Sequence, residues 1–165
     1  LQTERLHIRE LNLEDAPFIV QLLNSQSFIE NIGDRGIHTL EQAQQKINSF
    51  YTDGYPYYGL FIVIRRHDNV AIGTVSYLKR DYLQQDDIGY AFLPQYWQQG
   101  FAIEATKAVL EFQLNRGVTE IWGVVERTNR PSVRLLEKLK FFEQGEVIMA
   151  GVGIANELDL NRPSA

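Results

Sequence analysis

The sequence predicts one α/β domain on a mixed sheet, spanning residues 1–165, and three observations carry that prediction. Elements read from periodicity and turn chemistry follow the order β-α-α-β-β-β-α-β-α-β-β. No internal repeat, low-complexity tract or linker interrupts them. A chain of 165 residues, 44% hydrophobic and 22% charged, is long enough to bury a core without staples.

Each element has a local reason. Residues 3–10 alternate, with Leu6 and Ile8 on one face, and read as a strand. Asn12 and Asp15 signal a helix start, and Ala16, Ile19, Leu22 and Leu23 give helical spacing over 13–24. Residues 25–38 read as irregular. Thr39-Leu40-Glu41-Gln42 is a capping-box pattern, followed on one face by Ala43, Ile47 and Phe50 in a helix ending near Gly54. Two strands, 60–65 and 70–79, flank the hairpin turn His67-Asp68-Asn69, and a third covers 86–93. Phe101, Ala105, Ala108 and Phe112 define the inner face of a helix over 101–116, with Glu104, Lys107, Glu111 and Asn115 outside and Gly117 stopping it. A strand over 120–126 leads to a last helix over 131–140, with Asn129 as its cap and Pro131 in its first turn. Residues 142–150 and 157–161 read as closing strands.

Composition narrows the function. The net charge of −5 argues against a nucleic-acid partner, and acidity outside a site favours a cationic substrate such as an amine. The absence of cysteine removes disulfides, zinc–thiolate sites and cysteine nucleophiles, and fits a cytoplasmic protein. No apolar run approaches the roughly 20 residues of a membrane span, and no leader pattern is read at Leu1. His7, His38 and His67 lack metal or triad spacing, so no metal is expected and all three read as structural or solvated.

The most informative stretch runs from Pro94 to Ala105. It sets a turn rich in free main-chain donors, with small Gly100 and Ala102, between a strand and a well-patterned helix. A helix N-terminus offers unpaired N–H groups and partial positive charge, which suits a phosphate or pyrophosphate. An ordinary strand-to-helix connection has the same local composition.

A second constellation, Asn129-Arg130-Pro131-Ser132 and its helix through Phe141, follows the strand that holds Val125. Together with Trp97-Gln98-Gln99-Gly100-Phe101-Ala102 and the element order, it resembles the GNAT superfamily of N-acetyltransferases over nearly the whole chain. Gly89-Tyr90 with Pro94, the Tyr96-Trp97 pair and Ile103-Glu104-Ala105 are most similar to the RimJ/RimL type, the ribosomal-protein-alanine N-acetyltransferases. The resemblance implies a mostly antiparallel, splayed mixed sheet flanked by about four helices. It implies acetyl-CoA as cofactor and a primary amine as acceptor, either a peptide N-terminus or a small molecule, attacked directly in a ternary complex. A monomer or homodimer is expected.

By the same resemblance, main-chain N–H groups of Gln98, Gln99, Gly100, Phe101, Ala102 and Ile103 cradle the pyrophosphate. The pantetheine arm runs beside Ala91, Phe92 and Leu93, with an N–H near Ala91 or Phe92 polarising the thioester carbonyl. Asn129 contacts the cofactor, and Ser132 stands near the thioester sulfur, where its hydroxyl would serve the leaving thiolate. Leu136 occupies the position at which many relatives carry a tyrosine acid. Asp87 and Glu126 are the candidate bases, and each also reads as an ordinary surface charge. The glutamate that ribosomal enzymes carry after the last helix would fall near Ala150 or Gly151, where no carboxylate stands.

Arg130, Arg134, Lys138 and Lys140 are candidates for the 3′-phosphate of CoA. The acceptor pocket is expected from 24–38, the Tyr55, Tyr57 and Tyr58 turn and the hairpin over 80–87. Asp81, Asp86 and Asp87 would give it a negative wall, and Phe28 and Tyr82 further aromatic walls. Two other readings compete. One is an acyl-CoA-binding sensor without turnover. The other is a phosphotransferase, against which the missing Gly-x₄-Gly-Lys-Ser/Thr loop argues.

Overall fold

Alternation decides how the sheet is sandwiched. In β2 (Gly59–Arg65), Ile62 and Ile64 enter one core while Val63 enters another on the opposite face. The computed structural model describes residues 1–149 and 153–160. Its single seven-stranded sheet adds β1 (Leu6–Glu10), β3 (Val70–Leu78), β4 (Asp87–Phe92), β5 (Trp122–Val125), β6 (Phe141–Met149) and β7 (Gly153–Leu160), in the order β1-β2-β3-β4-β5-β7-β6. Every neighbouring pair is antiparallel except β4 and β5. Those two run parallel and pair at one position, Asp87 with Trp122, supported by the Trp122 N–H donating to the Asp86 carbonyl at 2.8 Å. Beyond that point β4 and β5 share no register pair among the described residues, so the sheet opens there.

The helices cover both faces. Leu22 and Ile19 of α1 (Ala16–Leu23), Phe28 of α2 (Gln26–Asn31) and Ala43 of α3 (Leu40–Lys46) pack with Ile62, Ile64 and Leu93. On the other face, Phe101, Ala105 and Val109 of α4 (Phe101–Asn115) and Leu136 of α5 (Arg130–Lys138) pack with Val63, Val75, Tyr77 and Ile121. Burial of this apolar area is the main stabilising term.

The mixed α/β architecture is as expected, with local differences. Residues 25–38 are not wholly irregular. Ser25 accepts from the Phe28 N–H and starts α2, a six-residue helix too short to show a period. The count expected at about four α-helices is therefore five among the described residues. The capping box at Thr39 and Gln42 forms, and α3 then loosens into a π-helical turn over Ile47–Tyr51. The buried stripe of α4 runs through Phe101, Ala105, Thr106, Val109, Leu110 and Gln113, so Phe112 is only half-buried. Gln113 is buried because its amide donates to the Tyr57 carbonyl at 2.8 Å and accepts from Arg116 at 2.6 Å. β7 starts at Gly153, earlier than expected, and lies between β5 and β6. Asn161, and the Ala150 and Gly151 positions weighed for a catalytic glutamate, lie outside the described residues. No helix among the described residues is long and apolar enough to cross a membrane.

Candidate active site

The turn that enters α4 needs left-handed backbone twice, at Gln98 (φ 59°) and at Gly100 (φ 80°). Gly100 is the helix cap, and no side chain caps the first N–H groups of α4, which are therefore free for a ligand. Two contacts hold the turn in place. The Trp97 indole N–H donates to the Phe92 carbonyl at 2.8 Å, tying the turn to the end of β4. Arg5 reaches from the N-terminal segment and donates to the Gln99 carbonyl at 2.8 Å, with its guanidinium 4.3 Å from the Phe101 ring centroid.

Arg5 is itself fixed by Glu104, at 2.7 Å, which also accepts from the Thr3 hydroxyl at 2.5 Å. Glu104, expected on the outer face, is thus an internal anchor. Partial burial pushes its carboxyl upward, but the Thr3 and Arg5 donors outweigh this and hold it below the usual range.

The opening between β4 and β5 is continuous with this turn. A cavity of about 480 Å³ is lined by Tyr90, Ala91 and Phe92 of β4, by Trp97, Gln98, Gly100, Phe101, Ala102 and Ile103, and by Asn129, Ser132, Arg134 and Lys138 around α5. A second, of about 520 Å³, is lined by Asp87, Gly89, Tyr90 and Ala91 of β4, by Val124, Val125 and Glu126, and by α2, α3 and the loop between them. Both are lined by Tyr90, Ala91, Asn129 and Ser132.

Among the residues expected at the cofactor, Leu93 and Gln99 line neither cavity. Leu93 is buried in the core beneath α1–α3, because its side chain falls on that face of the sheet. Gln99 turns outward, its amide donating to the Gln95 carbonyl at 3.0 Å. Of the four basic candidates on the last helix, Arg134 and Lys138 line the 480 Å³ cavity, while Arg130 and Lys140 do not.

The catalytic candidates differ in their surroundings. Ser132 is half-buried; its N–H faces the Asn129 side-chain oxygen at 3.5 Å, and its hydroxyl has no partner among the described residues. Glu126 is half-buried and its carboxylate has no ion-pair or hydrogen-bond partner among the described residues. Asp87 is buried and held by Arg80 at 2.9 Å. Burial pushes its carboxyl above the usual range, and Arg80 only partly reverses this. Leu136, in the place of the tyrosine acid, is buried against Gly123, where an added Cβ would stand 3.1 Å from both of its methyls.

Sequence reasoning missed Tyr90. Its hydroxyl donates to the Ser132 carbonyl at 3.0 Å and bridges the two walls of the opening, and burial pushes the phenol up to about 12. Its place in the Gly89–Pro94 stretch is legible in the sequence, but nothing there signals its partner.

The expected acceptor walls need correction. Tyr55, Tyr57 and Tyr58 line neither cavity. The Tyr55 hydroxyl is spent on the Leu60 carbonyl and the Leu11 N–H, Tyr57 lies under Arg116, and Tyr58 stacks on Tyr77. Asp86 is occupied by the hydroxyls of Tyr77 at 2.9 Å and Tyr58 at 3.1 Å, and Asp81 lines neither cavity. Phe28, Tyr82 and Asp87 do line the 520 Å³ cavity, together with Lys46, Phe50 and Tyr51.

Comparison with known proteins assigns the chain that carries this opened parallel pair and glycine-capped helix to a family. The acetyltransferase (GNAT) domain model matches residues 5–141. The chain belongs to the GNAT acetyltransferase family. This GNAT chain is 30% identical over 149 residues to the uncharacterized N-acetyltransferase YoaA of Bacillus subtilis, covering 88% of this chain and 84% of that protein. It is 29% identical over 150 residues to the uncharacterized N-acetyltransferase p20 of Bacillus licheniformis, covering 88% and 83%. The GNAT-family acetyltransferase of Bacillus anthracis shares the fold at TM-score 0.78 and 24% identity, over 96% of this chain and 95% of that one. Spermidine N-acetyltransferase of Vibrio cholerae, solved with CoA and spermine, does so at TM-score 0.79 and 18% identity, over 95% of each chain.

Proposed function

We propose that this GNAT chain is an acetyl-CoA-dependent N-acetyltransferase of the RimJ/RimL type that acts on a primary amine in the cytoplasm. One observation carries the reading: the opening between β4 and β5 ends on uncapped N–H groups at Gly100, and the adjoining cavity is lined by a serine hydroxyl and a carboxylate that have no partner among the described residues. The residues fit the cofactor. Main-chain donors over 98–103 suit a pyrophosphate, Arg134 and Lys138 suit a further phosphate, and the open side of β4 suits an extended amide-bearing arm. Acetyl-CoA, when bound, supplies a thioester whose acetyl carbon accepts a bond from the amine nitrogen as its bond to sulfur breaks, releasing CoA as the thiol.

The protein's part is proton handling and placement. An alkyl ammonium titrates near about 10.4, so the acceptor arrives protonated and must lose a proton. Glu126 receives that proton, directly or through water, because its carboxylate has no partner among the described residues. Asp87 is a weaker candidate, since Arg80 already holds it. Ser132 holds a donor proton where the two cavities adjoin, and Asn129 orients the start of its helix. Tyr90 keeps β4 and α5 at a fixed separation.

The test is calorimetry with CoA followed by thiol release from acetyl-CoA over a panel of amines. The chain has no cysteine, so every thiol detected is product. Binding with turnover supports the reading. Absence of CoA binding overturns it, and binding without turnover replaces it with an acyl-CoA sensor.

A further inference from the structure

The 520 Å³ cavity has charges of both signs on its walls, and they are not equally committed. Arg80 is held by Asp87 at 2.9 Å. Asp34 accepts from the Gly36 N–H at 2.8 Å and lies 3.3 Å from His38 Nε2. Arg35, Lys46 and Glu126 have no ion-pair partner among the described residues.

These three groups come from different parts of the fold. Arg35 lies on the exposed loop between α2 and α3. Lys46 ends α3, with its ammonium 4.4 Å from the Phe50 ring centroid. Tyr51 lines the same cavity, and its phenol is pushed up by burial and drawn partly back by the charge of Arg35. Glu126 directly follows β5, well away in the chain from Arg35 and Lys46, and lines the same cavity.

The arrangement runs against the net charge. A chain at −5 attracts cations at long range, yet it keeps two cations with no ion-pair partner among the described residues on the lining of this cavity. A cation that needs no partner for folding is available to a ligand, and a desolvated anion is stabilised only where such donors meet it.

We propose that the acceptor is an amine that also carries an anionic group, a carboxylate or a phosphate, which Arg35 and Lys46 hold beside Tyr51 while the amine faces Glu126. This deepens the N-acetyltransferase reading and rests on it. A polyamine is the wrong acceptor here, because its second ammonium meets two like charges.

Matched pairs test this: γ-aminobutyrate against butylamine, and phosphoethanolamine against ethanolamine, with spermidine as the polycation. Calorimetry is run with and without CoA, and thiol release gives kcat/KM. The anionic member of at least one pair should win by about tenfold or more in affinity and in kcat/KM. The pair that wins distinguishes carboxylate from phosphate. In the double variant Arg35→Glu, Lys46→Glu the order should reverse toward spermidine. The single variant Arg35→Gln, at an exposed position, should reduce the ratio without unfolding the chain, checked by its melting curve.

Equal use of both members of each pair, preference for spermidine by the native protein, or an unchanged ratio in both variants overturns the proposal. Failure of CoA binding overturns the transferase reading instead. The anion preference is read separately, by calorimetry without CoA.

Discussion

The cavity at the Gly100 turn and the cavity beyond Ser132 share residues but are built from different material. The first is bounded at its far end by main chain. Left-handed backbone at Gln98 and Gly100 shapes the turn and leaves the first N–H groups of α4 without a side-chain cap, while Trp97 and Arg5 hold the turn in place. The outer wall of the second is made of side chains from α2, α3 and their loop. A site built from main chain works for one ligand class and demands particular backbone conformations. A site built from side chains can be retuned by substitution while the fold stays the same. On the proposed function, the first cavity would hold the cofactor and the second would select the acceptor.

The largest effect expected from breaking this division is at Gly100. A β-branched residue does not adopt φ 80°, and an added Cβ would stand 3.2 Å from Arg5 Nη2. Gly100→Val should weaken CoA binding by about 100-fold, a change of about 2.7 kcal/mol, measured by calorimetry. Its acceptor preference, read at saturating acetyl-CoA, should be unchanged. Loss of that preference too would mean that the two cavities are one functional unit.

Next comes the boundary between them. Glu126→Gln removes the uncommitted carboxylate and keeps the shape. It should lower kcat by about 100-fold or more, with CoA affinity intact. A kcat within about twofold of the parent would remove Glu126 from proton transfer and return that role to Asp87.

Arg5 gives a smaller effect and sharpens the first half of the comparison. It fixes the Gln99 carbonyl and so the pitch of the turn, at a largely exposed position. Arg5→Ala should weaken CoA binding about three- to fivefold, with less change in kcat, and Arg5→Lys should recover only part because the forked contact to Gln99 and Glu104 is lost. An unchanged dissociation constant in Arg5→Ala would show that Trp97 alone fixes the turn.

The same division explains what the sequence made legible. Left-handed backbone and an approaching ligand leave a written trace: Gly100, the small Ala102, the proline and aromatics before them, and the apolar period of α4. The two helix caps, Thr39 and Asn129, are readable for the same reason, since each side chain satisfies a donor close to it in sequence. The acceptor wall leaves no such trace. The Tyr55–Tyr58 turn is aromatic and polar enough to line a pocket, but its groups are taken by the nearby Leu60 and by Leu11, Asp86 and Arg116, which are distant in the chain. Arg35 and Lys46 look like ordinary surface charges until folding places them on one cavity with no ion-pair partner among the described residues. Tyr90 bridges 42 residues to Ser132, a separation that no local pattern encodes.

The smallest expected effect concerns Asp87, on the wall of the second cavity. Its ion pair with Arg80, at 2.9 Å, suggests stabilisation, but burial outweighs it and the carboxyl titrates above its ordinary value of 3.8. A carboxyl raised in the folded state favours folding most below the unfolded value, and that contribution is lost as pH rises through the folded value. Asp87→Asn has no such titration. Native protein and variant should therefore be closest in stability at acid pH. The variant should gain relative to the native protein as pH climbs from about 3.8 through the raised value, then hold a constant difference. Chemical denaturation across that window checks the sign. A native protein that instead gains on the variant with rising pH would show that Arg80 overcompensates for burial, and that this wall is held together by its charge pair.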